Sequence, residues 1–466
     1  MPIPIGVVLV SRRDPPLHVC LISRQRIVGK TNGSSAYVLS IAEYLKSKGC
    51  RIRYLSPSPA TFGRWPFIRL RPEMDVFETV QIRGSLRLGR FLILLDPAVL
   101  CRAAVAIFDQ FLARTGLSDK RFGRRAPYSI AVDLSPADLK FLAKHLRDRA
   151  DVLLLDYAFM TPCLEHVHRP GISSIVIMHD LFSARARQFD VLNKTDTAAA
   201  ISEPDEMALL SAADLVVAIQ ADEAAIVRNR LPGCRVVVAP IAATPVGQAH
   251  IGDGDHVLFV GSQTAPNIDA LQWLVEEIWP AILRQRPSSR LLVAGSVTWA
   301  YSARAPGVEY LGVVSDLGHL YERAAVVISP LRVGSGLKVK LVEAMGRGKA
   351  VVATAVTAQG IQSVVKDAIV IADSAAAIVE ETLSLMSDTG RRRHYANAAL
   401  QVARTHFGEE ACYREIFAFV AEKTGARRSS ESTASVAAGS IRPAKSPRHE
   451  QRTAVVESSG GPPPLG

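Results

Sequence analysis

The amino-acid sequence predicts an α/β protein in which two doubly wound, Rossmann-like domains face each other across a cleft. Two series of short runs rich in Val, Ile and Leu lead to this prediction, because a segment of helical periodicity follows each run. Continuous apolar runs are typical of strands that are buried on both faces of a parallel sheet. The length of 466 residues suits two large domains with appendages.

Each series predicts six parallel strands. The runs of the N-terminal half are LHVCLIS (17–23), RIRYLSP (51–57), VLLLDY (152–157), SIVIMHD (174–180), DLVVAIQ (214–220) and RVVVAP (235–240). The runs of the C-terminal half are HVLFVGS (256–262), RLLVAGS (290–296), VEYLG (308–312), AVVISP (325–330), AVVATAV (350–356) and AIVIAD (368–373). Doubly wound sheets bind ligands at the carboxyl ends of their strands, so the site is expected between the two sheets.

The segment between the two series is predicted to be a linker. Residues 242–255 are polar, contain glycine and include no apolar run. We therefore assign residues 1–245 to the N-terminal domain and residues 246–424 to the C-terminal domain. Residues 425–466 are rich in Ser, Ala, Arg and Pro and are predicted to be a disordered tail. The helical segment 404–423 either closes the second domain or crosses back to the first.

Residues 60–150 do not fit the alternation of strands and helices. No parallel strand is evident there, and basic residues are interspersed among apolar ones, which predicts a largely helical, basic insertion in the first domain. Two interpretations stay open. The basic residues form a solvated surface over ordinary packing helices, or they contact a membrane surface or an anionic acceptor.

Composition and charge exclude several classes of protein. An apolar fraction of 48% excludes wholesale disorder, and the net charge of +11 favours anionic partners. The six cysteines have no spacing that suits zinc or a disulfide framework, which predicts a reducing, cytoplasmic environment. No secretion signal or membrane-spanning run is evident, so we expect a soluble protein or a peripheral one at the inner face of the membrane. Nucleic acid is not an expected partner, since no aromatic stacking platform accompanies the charge.

The segment 330–354 carries the strongest chemical signal. A predicted strand ends and leads through Gly334, Ser335, Gly336 and Leu337 into a predicted helix. Glycines let the backbone approach a ligand closely, and the free N–H groups at a helix N-terminus favour an anion such as phosphate.

The charged residues of the same segment suit that anion. Lys338 is expected in the first helical turn, where the helix macrodipole disfavours a cation unless an anion lies above it. Glu343 stands three residues after Lys340, so it either accepts hydrogen bonds from ribose hydroxyls or forms an exposed helical ion pair with that lysine.

This half of the chain resembles the retaining, GT-B-fold glycosyltransferases of the family-four type, also called glycosyl transferases group 1. The resemblance rests on FVGSQTAPNIDALQWLVEEIWPAI, on LLVAGS and on VEYLGVVSDLGHLYERAAVVISPLRVGSGLKVKLVEAMGRGKAVVAT, and it covers residues 257–361. It implies that the C-terminal domain binds a nucleotide-diphosphate sugar and that the N-terminal domain binds the acceptor.

The resemblance also implies roles for individual residues. Glu343 matches the second of two family glutamates and would bind the ribose, whereas the first falls on Ser335, which is not acidic. The family's Arg and Lys after the first strand are absent, which would leave diphosphate neutralisation to Lys338, Lys340 and backbone amides. The remaining donor-binding residues expected in the C-terminal domain are Gly261, Ser262, Asn267, Gly312 and Val313. Asn267 has an alternative role as the N-cap of the following helix.

The N-terminal half matches more loosely. Gly33 and Ser34 lie in a glycine-containing turn that would approach the acceptor. His179 ends a predicted strand and, together with Lys338 and Lys340, forms the set of catalytic candidates. Asp180 either orients the imidazole of His179 or caps the next turn.

Neither a metal nor a cofactor is expected. The motif of Asp253, Gly254 and Asp255 has the form of a metal-binding DxD, but it lies in the linker, which favours a turn. The motif of Gly29, Lys30 and Thr31 lacks the upstream glycine of a P-loop.

The resemblance and the residues together predict a retaining, metal-independent transferase. It would move a sugar from a nucleotide-diphosphate sugar to a hydroxyl of a glycan, a lipid-linked molecule or a small molecule. Two alternatives stay open: a nucleotide-sugar epimerase of the same architecture, and a nucleotide-sugar-binding module without turnover.

Overall fold

The computed structural model describes residues 16–59, 62–63, 65–115, 130–146, 150–167, 169–185, 201–334 and 337–423. The predicted tail, residues 425–466, lies outside this part of the chain. So do Ser335 and Gly336 of the predicted phosphate-binding turn.

A seven-stranded parallel sheet forms the centre of the N-terminal half, in the order β10-β9-β8-β7-β1-β2-β4. Alternate residues of β1 pack on opposite faces of the sheet, which is why its sequence is continuously apolar. The strands are β1 (His18–Ile22), β2 (Arg51–Ser56), β4 (Thr79–Ile82), β7 (Val152–Asp156), β8 (Ser173–Ile177), β9 (Leu215–Ala218) and β10 (Val236–Val238).

Strand β4 corrects the prediction that residues 60–150 contain no parallel strand. It pairs in parallel with β2 at the edge of the sheet. Only Val80 and Ile82 are buried, so the strand alternates between apolar and polar residues and lacks the continuous run that marks a central strand.

The same segment also forms a small antiparallel sheet in the order β3-β6-β5. Its strands are β3 (Phe67–Arg69), β5 (Ser85–Leu88) and β6 (Phe91–Leu94). They are three or four residues long, too short for a reliable periodicity in the sequence. The expectation of a largely helical insertion therefore holds only for α2 (Pro97–Thr115) and α3 (Pro136–His145) among the described residues.

A six-stranded parallel sheet forms the centre of the C-terminal half, in the order β13-β12-β11-β14-β15-β16. All six strands coincide with the six predicted runs. They are β11 (His256–Val260), β12 (Arg290–Ala294), β13 (Val308–Gly312), β14 (Val326–Ser329), β15 (Ala350–Ala353) and β16 (Val370–Ile371).

Helices cover both sheets, as the doubly wound prediction requires. Those of the N-terminal half besides α2 and α3 are α1 (Gly33–Ser47), α4 (Leu164–Val167), α5 (Glu203–Ser211) and α6 (Ala221–Arg230). Those of the C-terminal half are α7 (Ala265–Trp273), α8 (Trp279–Gln285), α9 (Gly318–Arg323), α10 (Val339–Gly346), α11 (Gln362–Val365), α12 (Ala375–Ser387) and α13 (Thr389–His406). No helix of the described ranges is long and apolar enough to cross a membrane.

The last helix, α14, spans residues 409–423 and packs on the N-terminal half. The Tyr413 hydroxyl donates to Ser40 Oγ of α1 at 3.0 Å and accepts the Ala242 N–H at 2.8 Å. Glu410 accepts from Lys48 Nζ at 2.7 Å. Of the two roles left open by the sequence, the second is therefore the one observed: the chain crosses back to the first sheet.

Candidate functional site

The carboxyl ends of β7 and β8 place an aspartate beside a histidine. His179 Nε2 lies 2.6 Å from Asp156 Oδ1, and both side chains are buried. Asp156 also accepts from Gln25 Nε2 at 2.7 Å and from the Ser23 hydroxyl, both of the loop after β1. Since a carboxylate only accepts, Nε2 of His179 is the donor in this pair, and in the neutral imidazole Nδ1 is then the acceptor.

The ring of His179 is fixed by aromatic neighbours as well. It stacks on Tyr157 at 4.1 Å between centroids and meets Tyr37 edge-on at 5.4 Å. The Tyr157 hydroxyl donates to Ser34 Oγ at 2.9 Å, which ties this cluster to the start of α1. His179, Ser34 and Gly33, predicted from separate motifs, are thus brought to one place.

Asp156 was not among the predicted site residues, although it lies at the carboxyl end of a parallel strand, where the site is expected. The strand β7, VLLLD, ends in its one charged residue and lies next to the strand that precedes His179. Of the two roles left open for Asp180, that of orienting the imidazole is not the one observed. Its carboxylate pairs with Arg185 at 3.1 Å, because the backbone turns at His179.

Several predicted donor-binding residues of the C-terminal half lie where the loops after β11, β12 and β13 contact one another. A Cβ on Gly295 would lie 2.1 Å from the carbonyl oxygen of Gly261, and the Gly295 N–H donates to the Gly312 carbonyl at 2.7 Å. The exposed Val313 follows Gly312. These contacts need glycine at position 295 and bring the ends of β11, β12 and β13 together.

Asn267 closes the loop after β11 rather than capping α7. Its Nδ2 donates to the Ser262 carbonyl at 3.1 Å and to Thr264 Oγ1 at 2.9 Å. The N-cap residue of α7 is Thr264, because Pro266 fits the first turn and starts the helix earlier than expected. The N-cap alternative for Asn267 is therefore wrong.

Lys338 lies at the N-cap position of α10, one residue before the helix rather than in its first turn. Its Nζ lies 3.3 Å from the Gly334 carbonyl, and its charge faces Asp180 and Glu223 of the N-terminal half. Burial lowers the pKa of Lys338 to about 8, against the opposing effect of the two carboxylates. Burial raises the pKa of Glu223 to about 8, and the charge of Asp180 adds to this rise.

Lys340 and Glu343 form an ion pair on the surface of α10, with 2.6 Å between Nζ and Oε2. Leu337, also predicted in this site, is buried just before the helix. Tyr321 is fully buried near Glu343, and its hydroxyl has no hydrogen-bond partner among the described residues. This hydroxyl was not predicted from the sequence, since no local pattern distinguishes it.

The two halves meet at this site. A Cβ on Gly33 would lie 3.5 Å from Val339 Cγ2 at the start of α10. A second contact joins Gly360 to Gln220, where a Cβ would lie 2.0 Å from Oε1. Both sheets therefore direct the carboxyl ends of their strands into one region, which contains His179 from one half and Lys338 from the other.

No cluster of three or more metal-ligating side chains is present within the described ranges. The carboxylate of Asp253, in the DxD motif, accepts from His256 Nδ1 at 2.6 Å and from the Asp255 N–H at 3.1 Å. Lys30, in the P-loop-like motif, pairs with Glu43 at 2.7 Å. Both motifs are accounted for by local structure.

Two facing doubly wound sheets, with candidate residues at the carboxyl ends of both, define the GT-B class of protein. Residues 254–388 match the family described as "Glycosyl transferases group 1". The resemblance found in the sequence is thereby confirmed.

The chain is similar to a curated protein described as "Uncharacterized 44.6 kDa protein in cps region" from Klebsiella pneumoniae. The two are 22% identical over 174 residues, which is 35% of this chain and 45% of that protein. The matched segment thus spans less than half of the relative's length.

Solved structures share the fold across most of the chain. Sucrose-phosphate synthase from Thermosynechococcus elongatus superposes with a TM-score of 0.54 at 17% identity, covering 86% of this chain and 99% of that one. TarM from S. aureus gives 0.59 at 8% identity and covers 87% and 99%. The pneumococcal O-GlcNAc transferase GtfA gives 0.56 at 11% identity and covers 88% and 99%. At these identities the solved structures show the fold, and the family match covers part of the C-terminal half.

Proposed function

We propose that the protein is a retaining glycosyltransferase that moves a sugar from a nucleotide-diphosphate sugar to an acceptor hydroxyl. One observation carries the proposal: His179, held by Asp156, and Lys338, before the start of α10, lie where the two sheets face each other. The donor would occupy the C-terminal half, and the acceptor would enter beside Gly33 and Ser34.

The start of α10 would stabilise the leaving diphosphate. Negative charge develops on the diphosphate as the glycosidic bond breaks, and preorganised N–H groups and cations lower the energy of that state. The first N–H groups of α10 and the ammonium groups of Lys338 and Lys340 are the donors offered there. A diphosphate would take over the interactions that Lys338 makes with Asp180 and Glu223.

Glu343 would bind the ribose of the nucleotide. Its carboxylate is about one quarter exposed and holds Lys340, so one oxygen remains open to a diol. Two carboxylate–hydroxyl bonds would fix the nucleoside relative to the diphosphate. Structures of TarM and GtfA were obtained with UDP, which makes uridine the first base to test.

His179 would contact the sugar or the acceptor through Nδ1, its accepting nitrogen. Retention of the anomeric configuration would follow from front-face substitution, in which the departing phosphate assists deprotonation of the acceptor. In that mechanism the residues around His179 position the hydroxyl and exclude water, and they form no covalent intermediate.

Thermal shift against a panel of nucleotide sugars, beginning with UDP-glucose and UDP-N-acetylglucosamine, tests donor binding. A ligand at a hundred times its Kd stabilises the folded state by about 2.7 kcal/mol, which such an assay resolves. We expect Glu343→Gln to abolish this shift and the matched surface variant Glu380→Gln to retain it. If no nucleotide sugar shifts the transition, the proposal is wrong.

Proton NMR of the product then tests the reaction. We expect an anomeric coupling that matches the donor, and transfer that continues in the presence of EDTA. Inverted product would refute the retaining mechanism. Free epimerised nucleotide sugar would point to the epimerase, and donor binding without any turnover would point to the binding module.

A further inference from the structure

Exposed apolar side chains are concentrated in one part of the N-terminal half. Of the fifteen large apolar side chains that are exposed among the described residues, eleven lie between Trp65 and Val132. Apolar residues scattered singly over a surface need no explanation, whereas a concentration of them marks an interaction site.

The small antiparallel sheet presents an apolar face to solvent. The register pairs Phe67 and Leu86 with Ile93, and Leu88 with Phe91, which places these five residues on one face. Phe67, Leu86, Leu88 and Phe91 are between 51% and 69% exposed. The other face, with Ile68, Leu92 and Leu94, is buried in the core.

Helix α2 follows this sheet after two residues and exposes a second apolar stripe. Leu100, Ile107, Phe108 and Phe111 recur at the spacing of one helical face and are between 45% and 60% exposed. Val99, Ala103 and Ala106, on the adjoining face of the helix, are buried. A helix that is apolar on both its buried and its exposed face has a partner for only one of them within the described chain.

We name these two faces together the apolar platform: Phe67, Leu86, Leu88, Phe91 and Ile93 of the sheet with Leu100, Ile107, Phe108 and Phe111 of α2. Positive charge accompanies it. Arg69 lies on the same face, opposite Phe91, and Arg87 and Arg114 are also exposed. The described residues between 62 and 115 contain seven Arg against five Asp and Glu, so the charge of this part of the chain is positive.

We propose that the apolar platform docks on the surface of a bilayer that contains anionic phospholipid. Apolar side chains enter the headgroup region while arginines around them attract phosphate groups, a combination that suits a membrane interface. A second copy of the chain is the less suitable occupant, because a symmetric dimer through this face would bring Arg69 of both copies into one interface.

The platform is attached to the predicted acceptor side of the site. The Arg71 N–H, two residues after β3, donates to the Val28 carbonyl at 2.8 Å. A Cβ on Gly29 would lie 2.7 Å from the side chain of Arg71, so the two segments are in tight contact. The loop with Val28 and Gly29 leads into Gly33 and Ser34. If the proposed function holds, docking would place this side near a lipid-linked acceptor at the bilayer surface.

Vesicle flotation of the full chain, without donor or acceptor, tests the proposal. The vesicles are phosphatidylcholine alone or with about one third phosphatidylglycerol. We expect binding to the anionic vesicles that weakens with salt. Phe108→Ser with Phe111→Ser should reduce partitioning at least tenfold, and Phe67→Ser with Phe91→Ser should do the same.

Trp299→Ser is the matched control, because Trp299 is 69% exposed in the C-terminal half and lies outside the platform. It should retain partitioning within twofold, and all variants should keep the wild-type melting temperature within a few degrees. No binding by the wild-type chain, or equal loss in the control, overturns the proposal. A dimer that platform variants dissociate, without vesicle binding, would assign the platform to a second copy and also overturn it.

Failure of the docking proposal can be distinguished from failure of the proposed function. Vesicle binding by a chain that transfers no sugar would support the docking proposal and refute the proposed transferase function. Transfer to a water-soluble acceptor by a chain that ignores anionic vesicles would do the reverse.

Discussion

Substitution of Asp156 by Asn tests whether this carboxylate positions His179. In the structure, Asp156 accepts three hydrogen bonds, from Ser23, Gln25 and His179, in a buried setting. A hydrogen bond to a charged group contributes about 1 kcal/mol more than a neutral one. Loss of the charge should therefore lower the free energy of unfolding by about 3 kcal/mol, which urea denaturation can measure.

A positioning role requires more than a loss of stability. In ¹⁵N-histidine NMR spectra of the wild-type chain, we expect His179 to carry its proton on Nε2. In Asp156→Asn we expect a mixture of tautomers and a transfer rate reduced at least tenfold.

Asp214→Asn provides the control, because Asp214 accepts two hydrogen bonds from Ser174 at the opposite end of the same sheet. It should lose stability and keep its transfer rate. An unchanged tautomer together with an unchanged rate in Asp156→Asn would refute the positioning role.

Three further predictions concern the contact between the two halves. Lys338→Gln should weaken donor binding tenfold or more in calorimetry, since a charged bond to the diphosphate is lost, and equal affinity would contradict its role. Because the pKa of Glu223 is raised, the folded chain holds one more proton than the unfolded chain between pH 4.5 and about 8. The free energy of unfolding should therefore fall as the pH rises through that window, and Glu223→Gln should not show this fall. Gly360→Ala would place a Cβ 2.0 Å from Gln220 Oε1 and should increase the radius of gyration in scattering, whereas Gly84→Ala, where φ is also positive but the space is open, should not.

The central strands could be predicted from the sequence because burial on both faces imposes continuous apolar runs. Strand β4 and the three short strands of the small sheet could not, because an edge or a solvent-facing surface relaxes that pattern. Helix α14 shows a different limit of prediction from sequence. Its periodicity predicted a helix, but the choice of sheet depends on contacts such as that of Tyr413 with Ser40, which are remote in sequence.

Only those site residues that lie at strand ends or in glycine-containing turns could be predicted from the sequence. His179 follows a strand and could be found, whereas its orienting carboxylate depends on which strand lies beside it. The sequence offered Asp180 as either that partner or a cap of the next turn, and Asp156 is the partner observed. Glu223 lies on α6, and no pattern in the sequence relates it to Lys338. Its role arises from the approach of the two halves, which the sequence of either half alone does not specify.

Backbone conformation adds a reason to regard this cluster as functional. Among the described non-glycine residues, only Tyr157 and His179 have positive φ, at 72° and 59°. Each such residue costs roughly 1–2 kcal/mol, and glycine would avoid that cost. Both residues follow neighbouring strands and stack on each other, so the strain is located where the aromatic rings meet. Folding alone would favour glycine at these two turns, so the presence of both rings is explained by what they hold in place: the imidazole of His179, stacked on Tyr157 with its Nε2 on Asp156.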